Sequence, residues 1–215
     1  MKTILHKRWP NFLYRPSEYD DYIVREQGSY KHLDIRSGES VLDIGAHIGA
    51  FARWAQDQGA GQLTCIEPED ENFELLEHNT DSHVRLIKGA VVGDDHKQVD
   101  LFVNQKRNKG LHVTLRVRGR PVTRVPAFRF SKLMKKYRPK VLKVDIEGAE
   151  YDLDWDEALG AHKPRAIAVE LHLIRKRWRE KEAEALQQLI RTHGYVGGIV
   201  IPGKRWTILA FFEKR

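Results

Sequence analysis

The feature that most constrains the fold is the segment SVLDIGAHIGAF, in which an apolar run passes through glycines into a helical pattern. The run SVLDIGA has the character of a buried strand, and the helical spacing that follows continues to Gly59 and Gly61. A strand that meets a helix at a glycine turn is typical of the first unit of an open α/β sheet. The free N–H groups of such a helix favour an anionic ligand.

Strand-like and helical segments alternate along the rest of the chain. Strands are predicted for QLTCIEP, VRLIKGAVV, KVLKVDIEG and RAIAVELHL, and helices for EDENFELLEHN and WREKEAEALQQLIRTHG. Ser17, followed by Asp20, predicts the start of an additional N-terminal helix. The last two strand-like runs, YVGGIVIP and TILAFFEKR, are joined by so short a turn that they must be antiparallel. The pattern predicts a mostly parallel sheet with helices on both faces.

The composition indicates a soluble globular protein of one domain. The chain has 215 residues, of which 41% are hydrophobic and 31% charged, and this length suffices to bury a core. It has neither the apolar run of a membrane span nor that of a secretory signal, so we expect a cytoplasmic protein without a membrane partner. The single cysteine, Cys65, excludes an intramolecular disulfide and a multi-cysteine zinc site. We expect residues 1–39 to be an extension that packs on a domain at 40–215.

A basic block at residues 101–143 carries fourteen Lys or Arg residues and no Asp or Glu, within a chain of net charge +7. Such a block attracts anionic partners, although it could also be a solvated face. The alternating runs VDLFVN, LHVTLRVRG and PVTRVPAF predict a small β insertion at about 101–140. The residues of this block that we expect to contact a substrate are His112, Arg116, Arg118 and Lys143.

The acids and glycines at the first two strand ends predict a nucleoside cofactor. Glu67 ends the second strand, 22 residues after Gly45, where a carboxylate can accept hydrogen bonds from ribose hydroxyls. His47 occupies the position where a dinucleotide fingerprint needs glycine close to a pyrophosphate, which argues against NAD or FAD. S-adenosylmethionine, with its amine, carboxylate and ribose diol, matches better. The alternative is that these residues only end strands.

Four segments, VLDIGAHIGAF, CIEPEDENFELLEHN, LIKGAVVG and VLKVDIEGAE, follow one another as in the FkbM-type methyltransferases, which the chain resembles over about residues 41–172. That family usually has Asn at the position of His47. The resemblance implies a Rossmann-like class I methyltransferase fold, with a seven-stranded sheet, and S-adenosylmethionine as the methyl donor. It implies that Glu67 holds the ribose and that Pro68 and Ala90 lie near the adenine. The residues it places on the methionine side are Asp43, Gly45, Ala46, His47 and Gly49.

Two further strand ends carry ionisable residues, Asp145 with Glu147 and Glu170 with His172. Residues two apart on a strand point the same way, and the class I strand order makes these strands neighbours at the edge where ligands bind. One possibility is a general base, either His172 or a carboxylate, that takes a hydroxyl proton. Another is a divalent cation held by Asp145, Glu147 and His172. The third is an ion-pair network with Lys143 that does no chemistry.

The function expected from the sequence is S-adenosylmethionine-dependent methyl transfer, with O-methylation of a sugar-like, nucleotide-like or secondary-metabolite acceptor. The basic block at 101–143 favours a polar or anionic small molecule. One alternative is a methyltransferase that modifies DNA or RNA, whose binding would fall steeply with salt. A further alternative is a module that binds the cofactor without turnover.

Overall fold

The computed structural model describes residues 2–7, 9–102, 122–173, 179–202 and 207–215. The strands are β1 (Ile4–Leu5), β2 (Leu13–Tyr14), β3 (Val41–Ile44), β4 (Leu63–Glu67), β5 (Arg85–Lys88), β6 (Ala90–Val92), β7 (Gln98–Phe102), β8 (Val122–Arg129), β9 (Val141–Val144), β10 (Ala166–His172), β11 (Tyr195–Pro202) and β12 (Thr207–Lys214). The α-helices are α1 (Glu18–Glu26), α2 (Ala50–Asp57), α3 (Asp70–Asn79), α4 (Phe130–Tyr137), α5 (Trp155–Ala161) and α6 (Arg179–Thr192). Short 3-10 helices cover Gln27–Leu33 and Glu150–Asp152.

The central sheet has seven strands in the order β11-β12-β10-β9-β3-β4-β5. The five strands from β10 to β5 are parallel, and β12 is antiparallel to both of its neighbours. The predicted class I methyltransferase arrangement, including the antiparallel closing pair, is confirmed. In this order β3 lies between β4 and β9, so the strand order reverses beside β3, and a ligand crevice is expected at the carboxyl end of β3.

Hydrophobic side chains pack on both faces of the sheet, because successive residues of a buried strand point to opposite sides. On one face Leu42 and Ile44 join Phe130 of α4 and Leu186 of α6 in a buried cluster. On the other face Val41 belongs to a second cluster, together with residues of α2 and α3. The prediction of helices on both faces is therefore confirmed.

The N-terminal segment packs against the start of α2 and against α3. Phe12 and Val24 are buried in a cluster with Ile48 and Leu75. The amide of Asn79 joins the segment to the core, since it accepts a hydrogen bond from the Leu13 N–H and donates to the carbonyls of Leu13 and Ile48. At the start of α1 the Ser17 hydroxyl accepts a hydrogen bond from the backbone N–H of Asp20, which confirms the predicted helix start.

The run VRLIKGAVV forms two strands, so the prediction of one continuous strand is wrong. β5 belongs to the central sheet, whereas β6 pairs with β8 in a separate three-stranded sheet completed by β7. The chain divides at Gly89, where a Cβ would lie 2.6 Å from the Phe128 ring and 2.7 Å from the Pro126 carbonyl oxygen. Only glycine allows β8 to approach so closely at this point.

The basic segment at 101–140 is described in part. Of the three runs of the predicted β insertion, VDLFVN and PVTRVPAF form the antiparallel strands β7 and β8. Residues 103–121, with His112, Arg116 and Arg118, lie outside the described residues. Several described cations of the segment have acidic partners: Arg124 pairs with Asp100, and Lys132 with Asp95.

Within the described ranges, none of the helices combines the length and the hydropathy that crossing a bilayer requires.

The loop after β3 closely approaches the loop after β9 at Gly45, which has a φ of +81° and whose added Cβ would lie 1.7 Å from the carbonyl oxygen of Asp145. We expect Gly45→Ala to lower the free energy of unfolding by about 2–5 kcal/mol, because it combines a left-handed backbone with overpacking. Gly160→Ala is the matched control, since no atom lies within 4 Å of its added Cβ. In α5 it should stabilise the fold by about 0.5–1 kcal/mol. Chemical denaturation measures both changes, and equal effects would contradict this account.

Candidate active site

A cleft lies at the carboxyl ends of β3, β4 and β9, where strand order predicts a ligand site. Five of the residues expected to bind the cofactor line it, namely Gly45, His47, Glu67, Pro68 and Ala90. Asp145 and Glu147 line the same cleft, together with the apolar side chains of Ile44, Ile66, Val91 and Leu101. The cofactor-side and acceptor-side residues therefore share one space.

The loop after β3 is held by backbone hydrogen bonds to the end of β4. The N–H groups of Gly45 and Ala46 both donate to the carbonyl oxygen of Ile66, each at 3.0 Å. His47 adopts a left-handed φ of 51°, and its N–H donates to the Glu67 carboxylate at 2.9 Å. Gly49, also left-handed, donates to the Ala46 carbonyl oxygen and precedes α2. Ala46 and Gly49 thus shape the turn whose inner side His47 and Gly45 line.

Glu67 is a buried carboxylate surrounded by donors. Its Oε2 accepts from His47 N, and its Oε1 accepts from Glu69 N at 3.0 Å and from Asn72 Nδ2 at 3.3 Å. Burial raises the pKa of Glu67 to about 7, although these hydrogen bonds oppose the rise. A carboxyl group with this pKa gains or loses its proton near neutral pH, and this changes how many hydrogen bonds it can accept.

Asp43 and Lys143 form a buried ion pair between neighbouring strands. They are directly opposite each other on β3 and β9, and Lys143 Nζ lies 3.0 Å from Asp43 Oδ1. The ammonium group also donates to the Gly45 carbonyl oxygen at 2.7 Å and lies 3.7 Å from Asp145 Oδ2. Burial raises the pKa of Asp43, and Lys143 opposes this rise. Burial lowers the pKa of Lys143, but Asp43 and Asp145 outweigh it, so the net pKa is raised.

This placement bears on the expectation that Lys143 contacts a substrate. The Lys143 side chain is 5% exposed, and its charge is directed at protein groups below the loop after β3. We therefore infer that Lys143 supports the site from beneath.

The acceptor-side residues meet where β9 and β10 end. His172 Nε2 lies 3.2 Å from Glu147 Oε2 and 3.9 Å from Asp145 Oδ1. Glu147 has a left-handed φ of 56°, a conformation that few residues other than glycine adopt. Glu170, two residues before His172 on β10, has a pKa raised to about 8 by burial and by the charge of Asp145. The structure thus brings Asp145, Glu147 and His172 into direct proximity.

Glu150 fixes the other side of His172, and sequence reasoning had assigned it no role. Its Oε1 accepts from the backbone N–H of His172 at 2.7 Å and lies 3.3 Å from the ring nitrogen Nδ1. Its Oε2 accepts from Gly148 N, and its own carbonyl accepts from Trp155 Nε1. Burial lowers the pKa of His172, but Glu150 and Glu147 outweigh it and hold the pKa well above its usual range. The two carboxylates therefore favour the protonated form of His172.

Tyr19 of α1 is a second residue that the sequence did not single out. Its hydroxyl donates to Glu147 Oε1 at 3.0 Å, and its ring packs edge-on against the His47 ring at 5.6 Å. The pKa of Glu147 is raised by burial, whereas His172 and the Tyr19 hydrogen bond oppose the rise. Glu147 is thus held from both sides, by Tyr19 at one oxygen and by His172 at the other.

The geometry also suits the predicted cation site. Asp145, Glu147 and His172 each offer one ligand atom, and these atoms all lie within 4.8 Å of one another. Carboxylate and imidazole ligands at this spacing are compatible with a divalent transition metal.

The sequence profile of the FkbM methyltransferase domain matches residues 43–196, which is more than half of the chain. The chain belongs to the FkbM methyltransferase family. This match confirms the predicted family and identifies the domain as an S-adenosylmethionine-dependent methyltransferase domain. None of the curated protein sequences gives a significant match to this FkbM-family chain.

Several solved structures share the fold of this FkbM-family chain. An FkbM methyltransferase from Methylobacillus flagellatus KT superposes with a TM-score of 0.55 at 18% identity, covering 89% of this chain and 53% of that one. A methyltransferase from Pyrococcus furiosus gives 0.51 at 21% identity, covering 94% and 87%. The precorrin-6y C5,15-methyltransferase of Geobacter metallireducens GS-15 gives 0.53 at 10% identity, covering 99% and 94%. At these sequence identities the structural similarity shows only a shared fold. The chain spans about half the length of the Methylobacillus protein.

The buried Asp43–Lys143 pair makes a prediction about stability. Lys143→Met leaves the Asp43 carboxylate buried without a countercharge, so we expect a loss of about 3–5 kcal/mol in the free energy of unfolding. Lys88→Met is the matched control, because Lys88 pairs with Asp70 at the surface and should contribute less than about 1 kcal/mol. Urea denaturation at pH 7.5 compares the two variants. A Lys143→Met protein as stable as the control would show that the pair does not hold the sheet centre.

Proposed function

We propose that this domain binds S-adenosylmethionine in the cleft and methylates a hydroxyl group of a sugar-like, nucleotide-like or secondary-metabolite acceptor. The observation that carries the proposal is that Glu67 and Glu147, on opposite sides of β3, line one continuous cleft. A cofactor held by the first carboxylate would have its reactive end directed toward the second. We also propose a reducing, cytoplasmic setting, for which the single buried thiol of Cys65 is the support.

The residues present fit this cofactor by their chemistry. Glu67 offers a buried carboxylate that can accept hydrogen bonds from both hydroxyls of a ribose. Apolar side chains on β3 and β4 and the backbone around Pro68 and Ala90 suit an adenine ring. We propose that the methionine portion lies along the loop after β3, where Gly45 and His47 line the cleft, while Asp43 on β3 and Ala46 and Gly49 in the loop support it. The bound cofactor supplies an electrophilic methyl group on a positively charged sulfur.

Glu147 is the general base in this proposal. Its carboxylate lines the cleft, and the raised pKa makes it a better proton acceptor than an exposed carboxylate. It would take the proton of the acceptor hydroxyl while that oxygen accepts the methyl group, and the methyl–sulfur bond of the cofactor would break to leave S-adenosylhomocysteine. His172 is unsuited to this role because its two ring nitrogens face Glu147 and Glu150, which favour its protonated form. We assign His172 the role of orienting Glu147 and Asp145 that of hydrogen-bonding the acceptor. The role of Glu170, whose raised pKa of about 8 favours its protonated form, stays a prediction.

A divalent cation held by Asp145, Glu147 and His172 is the alternative mechanism, and it stays a prediction. In that case the metal would lower the pKa of the acceptor hydroxyl. The ion pair between His172 and Glu147 gives the base mechanism precedence, since it satisfies the same groups without a metal. Turnover that disappears with EDTA and returns with Mg²⁺ or Mn²⁺ would reverse this preference.

A nucleic-acid acceptor stays a prediction as well. Among the described residues of the basic block, Arg124, Arg129 and Lys132 are engaged by acidic side chains, which reduces their availability to phosphates. The small-molecule acceptor therefore takes precedence in the proposal.

The base assignment predicts the behaviour of Glu147→Gln. This change removes the proton acceptor and keeps the shape of the side chain, so turnover should fall by about 10²–10⁴-fold. The dissociation constant of S-adenosylhomocysteine should stay unchanged, because Glu147 lies on the acceptor side. Glu157→Gln, at an exposed partner of Arg129, is the control and should keep wild-type turnover. Formation of S-adenosylhomocysteine with a panel of hydroxylated acceptors measures turnover, and an active Glu147→Gln enzyme would exclude Glu147 as the base.

The raised pKa of Glu67 predicts a pH dependence of cofactor binding. Above pH 7 the carboxylate is ionised and can accept from both ribose hydroxyls, whereas below pH 7 its proton blocks one acceptor site. The affinity for S-adenosylhomocysteine should therefore decrease as pH falls through about 7. Glu67→Gln should bind about tenfold more weakly at pH 8 and show no such step. Titration calorimetry between pH 6 and about 9 measures both, and a step that survives in the variant would contradict the assignment.

A further inference from the structure

The N-terminal segment contributes to the site although it precedes the residues that match the family. The match begins at residue 43, yet Tyr19 and Ile23 of α1 line the cleft. Arg15, three residues before α1, donates a hydrogen bond to Asn72, which lines the cleft. Its contacts lead to the proposed ribose-binding carboxylate, Glu67.

Arg15 is held rigidly by Asp20. Its Nε donates to Asp20 Oδ2 at 2.9 Å and its Nη2 donates to Asp20 Oδ1 at 3.0 Å, a two-pronged pairing. The backbone N–H of Arg15 donates to the same carboxylate at 3.0 Å. Arg15 is 6% exposed and Asp20 is 1% exposed. Such a buried fork fixes the plane of the guanidinium group.

The same guanidinium determines how the amide of Asn72 is oriented. Arg15 Nη2 donates to Asn72 Oδ1 at 2.7 Å, and this leaves Asn72 Nδ2 to donate to Glu67 Oε1 at 3.3 Å. A guanidinium can only donate, so the amide oxygen must face Arg15 and the amide nitrogen must face Glu67. Asn72 is 1% exposed and lines the cleft. Loss of Arg15 would allow the amide to turn its oxygen toward the carboxylate.

We propose that Arg15 is a positioning residue for the cofactor, which orients Asn72 and through it holds Glu67 ready for the ribose hydroxyls. The N-terminal segment thereby completes the cofactor site. This inference rests on the proposed function, because it assumes that Glu67 binds the ribose.

The effect of Arg15 can be measured through the pKa of Glu67. Glu69, at the start of α3, raises the pKa of Glu67 by its charge. Two further side chains face the Arg15 guanidinium. His47 Nε2, in the loop after β3, lies 3.5 Å from Arg15 Nη2, and Glu71 Oε2 lies 3.9 Å from Arg15 Nη1. Lys88, opposite Glu67 on β5, pairs with Asp70 instead. Loss of the oriented Asn72 hydrogen bond removes one of the interactions that lower the pKa of Glu67.

The test is titration calorimetry of the full chain with S-adenosylhomocysteine from pH 6 to about 9. Arg15→Lys keeps the charge, but one ammonium group cannot reproduce the fork that engages Asp20 and Asn72 together. We expect the dissociation constant at pH 7.5 to rise about tenfold and the pH step of binding to move to higher pH. Arg25→Lys is the matched control, since Arg25 is on the exposed side of α1 and pairs with Asp21 at 2.7 Å. It should reproduce the wild-type affinity and step.

A second variant, Arg15→Met with Asp20→Leu, removes both buried charges together, so that neither is left unpartnered. It should keep a cooperative thermal transition, weaken binding about tenfold and shift the step in the same direction. Folded variants with wild-type affinity and an unmoved step would overturn the role of Arg15. A wild-type protein that does not bind S-adenosylhomocysteine would instead contradict the proposed function itself.

Discussion

The buried ion pair between Asp43 and Lys143 lies beneath both halves of the site. Because the ammonium group also bonds the Gly45 carbonyl oxygen and lies 3.7 Å from Asp145, one charge fixes the loop after β3 relative to the loop after β9. Burying such a pair has a desolvation cost that its attraction offsets only when the geometry is good. The main contribution of the ion pair is therefore structural, because it sets the distance between the cofactor side and the acceptor side of the cleft.

A second set of charges is arranged above this pair. His172 lies between Glu147 and Glu150 and fixes the orientation of Glu147, whose pKa is raised by burial although His172 opposes the rise. Tyr19 holds the second oxygen of Glu147 from the N-terminal segment. Residues of three elements, α1, β10 and the loop after β9, therefore meet at the Glu147 carboxylate and fix its position. A proton acceptor that is fixed in this way is preorganised for a bound hydroxyl.

The sequence predicted the sheet because the spacing of apolar residues in strands and helices, and the glycines of turns, are properties of residues close together in the chain. The convergence of Asp145 with His172 followed from strand order alone, since parallel neighbours bring their carboxyl ends together. Tyr19 was missed because its partner Glu147 is 128 residues away, and no local pattern encodes such a contact. Glu150 and Arg15 were missed for the same reason. The break at Gly89 depends on the approach of β8, so VRLIKGAVV looked continuous in sequence.

The most direct test of the account is an experimental structure with S-adenosylhomocysteine bound. The account predicts that both ribose hydroxyls lie within hydrogen-bonding distance of the Glu67 carboxylate and that the sulfur faces Glu147 across the cleft. Asn72 should keep its amide nitrogen toward Glu67, with Arg15 at its oxygen. A ligand bound elsewhere, or one whose ribose makes no contact with Glu67, would contradict the central claim that one cleft joins cofactor and acceptor.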